Sequence, residues 1–246
     1  MRVARRLGIA AATVALASTA LPGIASASAK RDFDPPTIAV NPTLKYVTGS
    51  QLSDNSKSPR VSAIVSWTAT DDDGVCSQSV RVQSNDGNRY YYPARSARSQ
   101  RITVRAGSYA DVTVDVADCA GNADNSYAYF YPSLYQETSA TFTQGWTTSR
   151  ANDYSNLTAI KARKAKASAT FKFSGQSVGV VSLNAPTEGS FDLYVDGVLK
   201  STVRLNKPRL NRLVVASHQF KASGTHTVKI VTKTAAQVDI DGFLIS

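Results

Sequence analysis

From about residue 60, apolar and polar side chains alternate in short runs separated by turn residues, which predicts antiparallel β structure. Val61, Ala63, Val65, Trp67 and Ala69 share one face of a strand, with Ser62, Ser66, Thr68 and Thr70 opposite. Val80 and Val82 resume the pattern after a turn at Asp71-Asp72-Asp73-Gly74. Ile102 and Val104 mark another strand, and Val112, Val114 and Val116 alternate with Asp111, Thr113 and Asp115. Gly121-Asn122 then turns the chain into an aromatic run from Ser126 to Tyr131. The segment Arg89, Tyr90, Tyr91, Tyr92 and Arg95 reads as an edge strand with half its rings in the core, rather than as a stacking site for bases or sugars. About seven strands in about 100 residues predict an immunoglobulin-like β-sandwich over residues 30–132.

Past Pro132-Ser133 the alternation starts afresh, with Ala169, Phe171 and Phe173, then Gly179, Val181 and Leu183, then Phe191, Leu193 and Val195. Later runs are Leu199, Val203 and Leu205, Leu213 and Val215, Val228 and Ile230, and Val238, Ile240 and Leu244. Asp196-Gly197 between two such runs predicts a two-residue hairpin turn, with Gly supplying positive φ. Eight or so strands without a helix predict a jelly roll for residues 133–246. The chain is expected to be all-β.

Composition narrows the chemistry. Of 246 residues 42% are hydrophobic and 19% charged, which fits a globular chain and not a disordered one. The histidines are His218 and His226, the cysteines Cys76 and Cys119, and the one methionine is Met1. A His-rich metal cluster, a four-Cys zinc site and a haem-attachment pair are thereby excluded. Residues 1–29 read as a secretory signal: Arg2, Arg5 and Arg6 lead, Leu7 to Leu21 form the apolar core, and Ala25, Ala27 and Ala29 offer cleavage sites. Pro22 and Gly23 stop that run short of the ~20 residues a membrane span needs. A secreted, extracellular protein without a membrane span is expected. Residues 30–132 balance 11 basic with 11 acidic side chains, whereas residues 133–246 hold 14 basic and 7 acidic, so the mature net charge of +7 belongs to the second half. In an oxidising compartment two cysteines most economically make one disulfide bond.

Two resemblances add to this. "VSWTATDDDGV" followed by "VTVDVADCAGNADNS" resembles the bacterial Ig-like repeats of exported proteins. Those domains are mostly spacers and stalks. Their topology would put the turns at Asp71–Gly74 and Asp118–Asn122 at one pole, with Cys76 facing Cys119. Asp71, Asp73 and Asp118 at that pole are candidate ligands for Ca²⁺; the alternative is that they satisfy backbone donors of the turns. The loop is not an EF-hand, because Val80 stands where the closing Glu is required. The ordered segments "ATFTQGW", "ASATFKFSGQSVGVV", "GSFDLYVDGVLKSTV", "ASGTHTVKIV" and "VDIDGFLI" resemble the galactose-binding-like jelly rolls that serve as carbohydrate-binding modules beside exported bacterial enzymes.

The resemblance implies an exported, non-catalytic binding protein that recognises a glycan through residues 133–246, with the Ig-like module as spacer. Sugar recognition needs flat rings and convergent polar groups. Trp146, Arg150, Asp153, Tyr154, Asn184 and Glu188 are the candidates outside the strand alternation. Trp146 could equally plug the barrel end. Lys161, Arg163, Lys164 and Lys166 offer a basic group for a cell-envelope polyanion, which gives the alternative of a structural or adhesive envelope protein. No aromatic interrupts that group, so a nucleic-acid partner is not expected. Neither G-x-S-x-G nor H-E-x-x-H occurs, and His226 lies at the start of a strand-like run, so no catalytic residues are assigned. Apart from Ca²⁺, no cofactor is expected.

Overall fold

The structure is a computed structural model that describes residues 32–246; the expected signal over residues 1–29 lies outside the described residues. Alternation becomes strand where one face can be buried. β2 (Arg60–Thr70) buries every second side chain from Val61 to Ala69. It is flanked by β1 (Thr37–Tyr46) and β5 (Ser99–Arg105) in a three-stranded antiparallel sheet. β3 (Val75–Ser84), β4 (Gly87–Tyr91), β6 (Ala110–Asp118) and β7 (Ala123–Phe130) form a second sheet, in the order β4-β3-β6-β7. Val65, Trp67, Val80, Val82, Val112 and Val114 pack between them in one core. Trp67 needs a partner for its buried N–H. It donates to Gln78 Oε1 at 2.9 Å, and the Gln78 amide in turn donates to the carbonyls of Ala94, Arg95 and Ala97.

At residue 133 the chain changes sheet. β8 (Ser133–Gln136) pairs with β17 (Gly242–Ile245) at one edge of a seven-stranded sheet. Across that sheet follow β12 (Ser168–Asn184), β15 (Leu210–Thr232), β13 (Ser190–Val195) and β14 (Val198–Arg204), with β9 (Thr141–Phe142) on β12. A three-stranded sheet of β10 (Trp146–Arg150), β11 (Thr158–Ala162) and β16 (Val238–Ile240) completes this half. Its core holds Phe171, Phe191, Ile230, Ile240 and Phe243, with Phe171 stacked on Phe243 at 4.4 Å. Asp196 and Gly197 both adopt positive φ, 49° and 78°, in the β13–β14 hairpin turn.

The runs at 169–173 and 179–183 are one strand here. β12 continues through Ser174-Gly175-Gln176 because register shifts after Gly175 absorb the irregularity. Gly175 is required there: a Cβ would lie 2.7 Å from Ile245 Cγ2 and 2.8 Å from the Ser246 carbonyl oxygen.

The two halves are joined by more than the Pro132 linker. Residues 32–246 form one compact unit. Val181, Val214 and Leu244 pack into the same core as Val65 and Trp67. Gly49 N–H donates to the Val214 carbonyl, Val214 N–H to Ser50 and Leu52 N–H to Arg212, at 2.8–2.9 Å. Among the described residues no helix is long and apolar enough to cross a membrane.

Candidate functional site

β16 and the residue that follows it carry two acids into the interior of the second half. Asp239 and Asp241 are fully buried, and neither can stay there without partners. Tyr154, just before the 3₁₀ turn Ser155–Leu157, donates its hydroxyl to Asp239 Oδ2 at 2.7 Å. Ser155 supplies its N–H and its hydroxyl to Asp241 at 2.8 and 3.2 Å. Beside Asp239 runs a second chain of contacts. Arg163 donates from Nε and Nη2 to Gln237 Oε1, and Gln237 Nε2 donates to Glu188 Oε1 at 3.2 Å. Glu188 Oε2 and Asp239 Oδ1 remain buried without a hydrogen-bond partner.

Glu188 and Gly189 form the buried wall of an open cavity of about 330 Å³, and exposed Arg204, Asn206, Thr234 and Ala236 surround it. Gly189 allows the two loops to meet, since a Cβ there would lie 2.9 Å from the Ala236 carbonyl. An acceptor within and donors around it form the polar set that orients a hydroxyl-rich ligand.

Burial, reinforced by the Asp239 charge, pushes the Glu188 carboxyl up to about 7. Burial, with Glu137 adding to it, pushes Asp241 up to about 7, and burial also raises Asp239. An acid raised in the folded state keeps its proton while the unfolded chain has lost it, so folding loses stability as pH rises. For Glu188 this window runs from 4.5 to about 7, and a shift of that size corresponds to about 3 kcal/mol. The melting temperature is therefore expected to fall between mildly acidic and neutral pH. Glu188→Gln should flatten the fall in a melting series across that range; an unchanged slope would remove Glu188 as its source.

The sequence-derived candidates do not converge on one spot. Tyr154 and Glu188 lie in the network around Asp239. Asn184 is buried and lines a different cavity of about 240 Å³ with Thr48, Lys207 and Leu210. Asp153 pairs with Arg209 and accepts from Asn211 Nδ2 at 2.7 Å, while Arg150 is exposed on β10. Of the two candidate rings, both contribute to packing. Tyr154 is 5% exposed. Trp146 packs its ring on Phe142 at 5.3 Å and against the second core, with its N–H buried. Tyr154 is enclosed, whereas Trp146 is partly exposed at the edge of the core. The basic group is partly engaged as well: Arg163 holds Gln237, Lys161 lies opposite Asp239 across β11 and β16, and Lys164 and Lys166 are exposed in the bend before β12. Gln237, Asp239 and Arg204 escaped the sequence reading because in strand-and-turn patterns they look like ordinary solvated positions.

Exposed rings lie instead on the first half. Tyr127, Tyr129 and Tyr131 alternate along β7 and its end at 57%, 70% and 61% exposure. On the opposite edge strand β4, Tyr90 points outward, while Tyr91 packs on the core and takes the Thr103 N–H on its hydroxyl.

At the acidic pole the turn reading accounts for Asp118. Its Oδ1 accepts the N–H groups of Gly121 and Asn122 at 2.6 and 2.8 Å, and Oδ2 accepts Asn122 Nδ2. Burial opposes the charge, yet these donors hold Asp118 below the usual carboxylate range. Asp71 Oδ1 accepts the Asp73 N–H at 3.0 Å. The carboxylates that approach one another within 4.8 Å are those of Asp32, Asp71 and Asp72, so of the candidate ligands Asp71 is in this group. Cys76 and Cys119 are joined in a disulfide with Cα atoms 5.1 Å apart.

No protein-family model matches the chain, and no curated protein matches it. Among solved structures it is similar to a family two carbohydrate esterase from Cellvibrio japonicus, at 13% identity and a TM-score of 0.35 over 47% of this chain and 32% of that one. It is also similar to a family 35 carbohydrate binding module from an environmental isolate, at 17% identity and a TM-score of 0.37 over 46% of this chain and 92% of that one. A third is an exo-beta-1,3-galactanase from Phanerochaete chrysosporium, at 9% identity and a TM-score of 0.38 over 75% of this chain and 54% of that one. The chain spans about a third of the esterase. At these TM-scores the likenesses carry no functional argument, and the all-β assignment rests on the antiparallel sheets themselves.

Proposed function

We propose that the chain is an exported, non-catalytic binding protein that recognises a glycan through residues 133–246, which the preceding module presents. The observation that carries this reading is the Glu188 cavity. Glu188 contributes a buried carboxyl group, held by Gln237, to its wall, and Arg204 and Asn206 stand at its rim as donors for hydroxyls. A non-catalytic role is supported by His226. Its Nδ1 pairs with Asp196 at 2.8 Å and its ring stacks on Phe220 at 3.5 Å. The Nε2 that would have to take a nucleophile's proton has no hydrogen-bond partner.

Binding of the full chain to a glycan array tests the reading. Glu188→Gln and Arg204→Ala should each weaken binding of the captured glycan by about 1.5–3 kcal/mol, the scale of a hydrogen bond to a charged group. Unchanged binding in both variants would refute the cavity as the site. The basic excess of residues 133–246 favours a second reading, an envelope protein attracted to polyanions. Retention that collapses at moderate salt would select it, because exposed charges are screened.

A further inference from the structure

We infer that the outward face of the β4-β3-β6-β7 sheet is a second glycan surface, which takes a neutral, extended polysaccharide chain. The strand register lays its side chains out in rows. Tyr90, Arg81, Thr113 and Tyr127 stand opposite one another from β4 across β3 and β6 to β7. Arg81 Nη2 donates to the hydroxyl of the buried Thr113 at 3.0 Å, so the row presents ring, guanidinium, ring. In the next row Gln83 and Asp111 lead to Tyr129. The rings of Tyr127 and Tyr129 lie 5.5 Å apart along β7, edge to face at 68°. From β4 to β7 the sheet spans three strand spacings, about 14 Å, which is room for a few sugar residues lying across it.

The chemistry of the face selects its occupant. Large rings exposed on both edge strands of one sheet are an unusual cost for a surface with nothing to bind. A protein partner would dry the strip between them and strand Arg81, Gln83 and Asp111 without water. Sugar hydroxyls can replace that water group by group, while the CH faces of the sugars lie on the tyrosines. Arg81, Gln83 and Asp111 supply polar groups between the rings. Arg81 and Asp111 cancel, and Asp115 leaves the face weakly negative, so it does not draw a polyanion or nucleic acid. Beyond Tyr129, Tyr131 continues the line of rings into an open groove of about 650 Å³ shared with Gln176 and Lys221 of the second half. The first module is then a binding surface in its own right and not only a spacer.

The proposal rests on the reading of the chain as a glycan binder, but on different residues, and the two separate in one experiment. Affinity electrophoresis of the full exported chain would use gels containing hydroxyethyl cellulose or galactomannan as neutral polymers and polygalacturonate as a charged one. Retardation by a neutral polymer is expected. Tyr127→Ala with Tyr129→Ala should reduce that affinity about tenfold or more, the scale of lost ring stacking, with unchanged melting because both rings are exposed. The Tyr127→Phe, Tyr129→Phe pair keeps the rings and should retain retardation. Neutral retardation that survives the alanine pair, retardation by polygalacturonate alone, or none at all would each overturn the proposal. Loss with Glu188→Gln alone would overturn it while sustaining the cavity reading.

Discussion

Replacing both Cys76 and Cys119 by serine is expected to cost the folded chain about 3–4 kcal/mol, because the bridge closes a 43-residue separation in the unfolded ensemble. Cys76 is half-buried and Cys119 exposed, so little cavity is created and the loss is mostly that of the unfolded-state constraint. The geometry explains why the bridge forms here. Register along β3 and β6 shifts between Val75 and Ser77, so Cys76 is the extra residue of a bulge and turns out of the ladder toward the end of β6. Just beyond, Asp118 organises the turn that holds Cys119. Denaturant midpoints of the oxidised protein and the serine pair measure the effect. A difference below about 1 kcal/mol would mean that the acidic turn alone orders this pole, well under the usual range for a native disulfide.

The sequence revealed most where a side chain has only one reason to be apolar. Val61 to Ala69 and Val112 to Val116 alternate because one face of each strand meets the core, and there pattern and structure coincide. It revealed least where the same pattern serves two ends. In β7, Ala128 and Phe130 turn inward and Tyr127 and Tyr129 outward, and nothing in the alternation distinguishes a ring held for packing from one left to solvent. Trp146 and Tyr154 drew notice as ligand-stacking rings because they fall outside the obvious runs. Tyr154 instead holds a buried acid that lies 85 residues away in the sequence. Long-range partners of this kind leave no local trace. The breaks at Ser174-Gly175 and Gly224-Thr225 have turn composition, yet β12 and β15 stay paired up to Gly175 opposite Gly224 and resume at Ser177 opposite Gln219 after a register shift.

Tyr46 shows how closely the two halves depend on each other, and Tyr46→Ala is expected to destabilise both together by about 3–5 kcal/mol, the scale of an aromatic truncation in a core. Its side chain leaves the end of β1, is 1% exposed, and packs against Gly179 of β12, where a Cβ would already touch the ring at 3.4 Å. Its hydroxyl donates to the Ile245 carbonyl at 2.8 Å, on the last strand of the chain. Tyr46→Phe isolates that bond: the ring remains, one buried carbonyl loses its donor, and about 1–2 kcal/mol should be lost. Because Val181, Val214 and Leu244 share a core with Val65 and Trp67, unfolding followed separately at Trp67 and at Trp146 should give one coincident transition, lowered equally at both probes by Tyr46→Ala. Two transitions, with only one of them moved by the substitution, would mean that residues 32–132 and 133–246 fold as independent domains and that the shared packing contributes little to either.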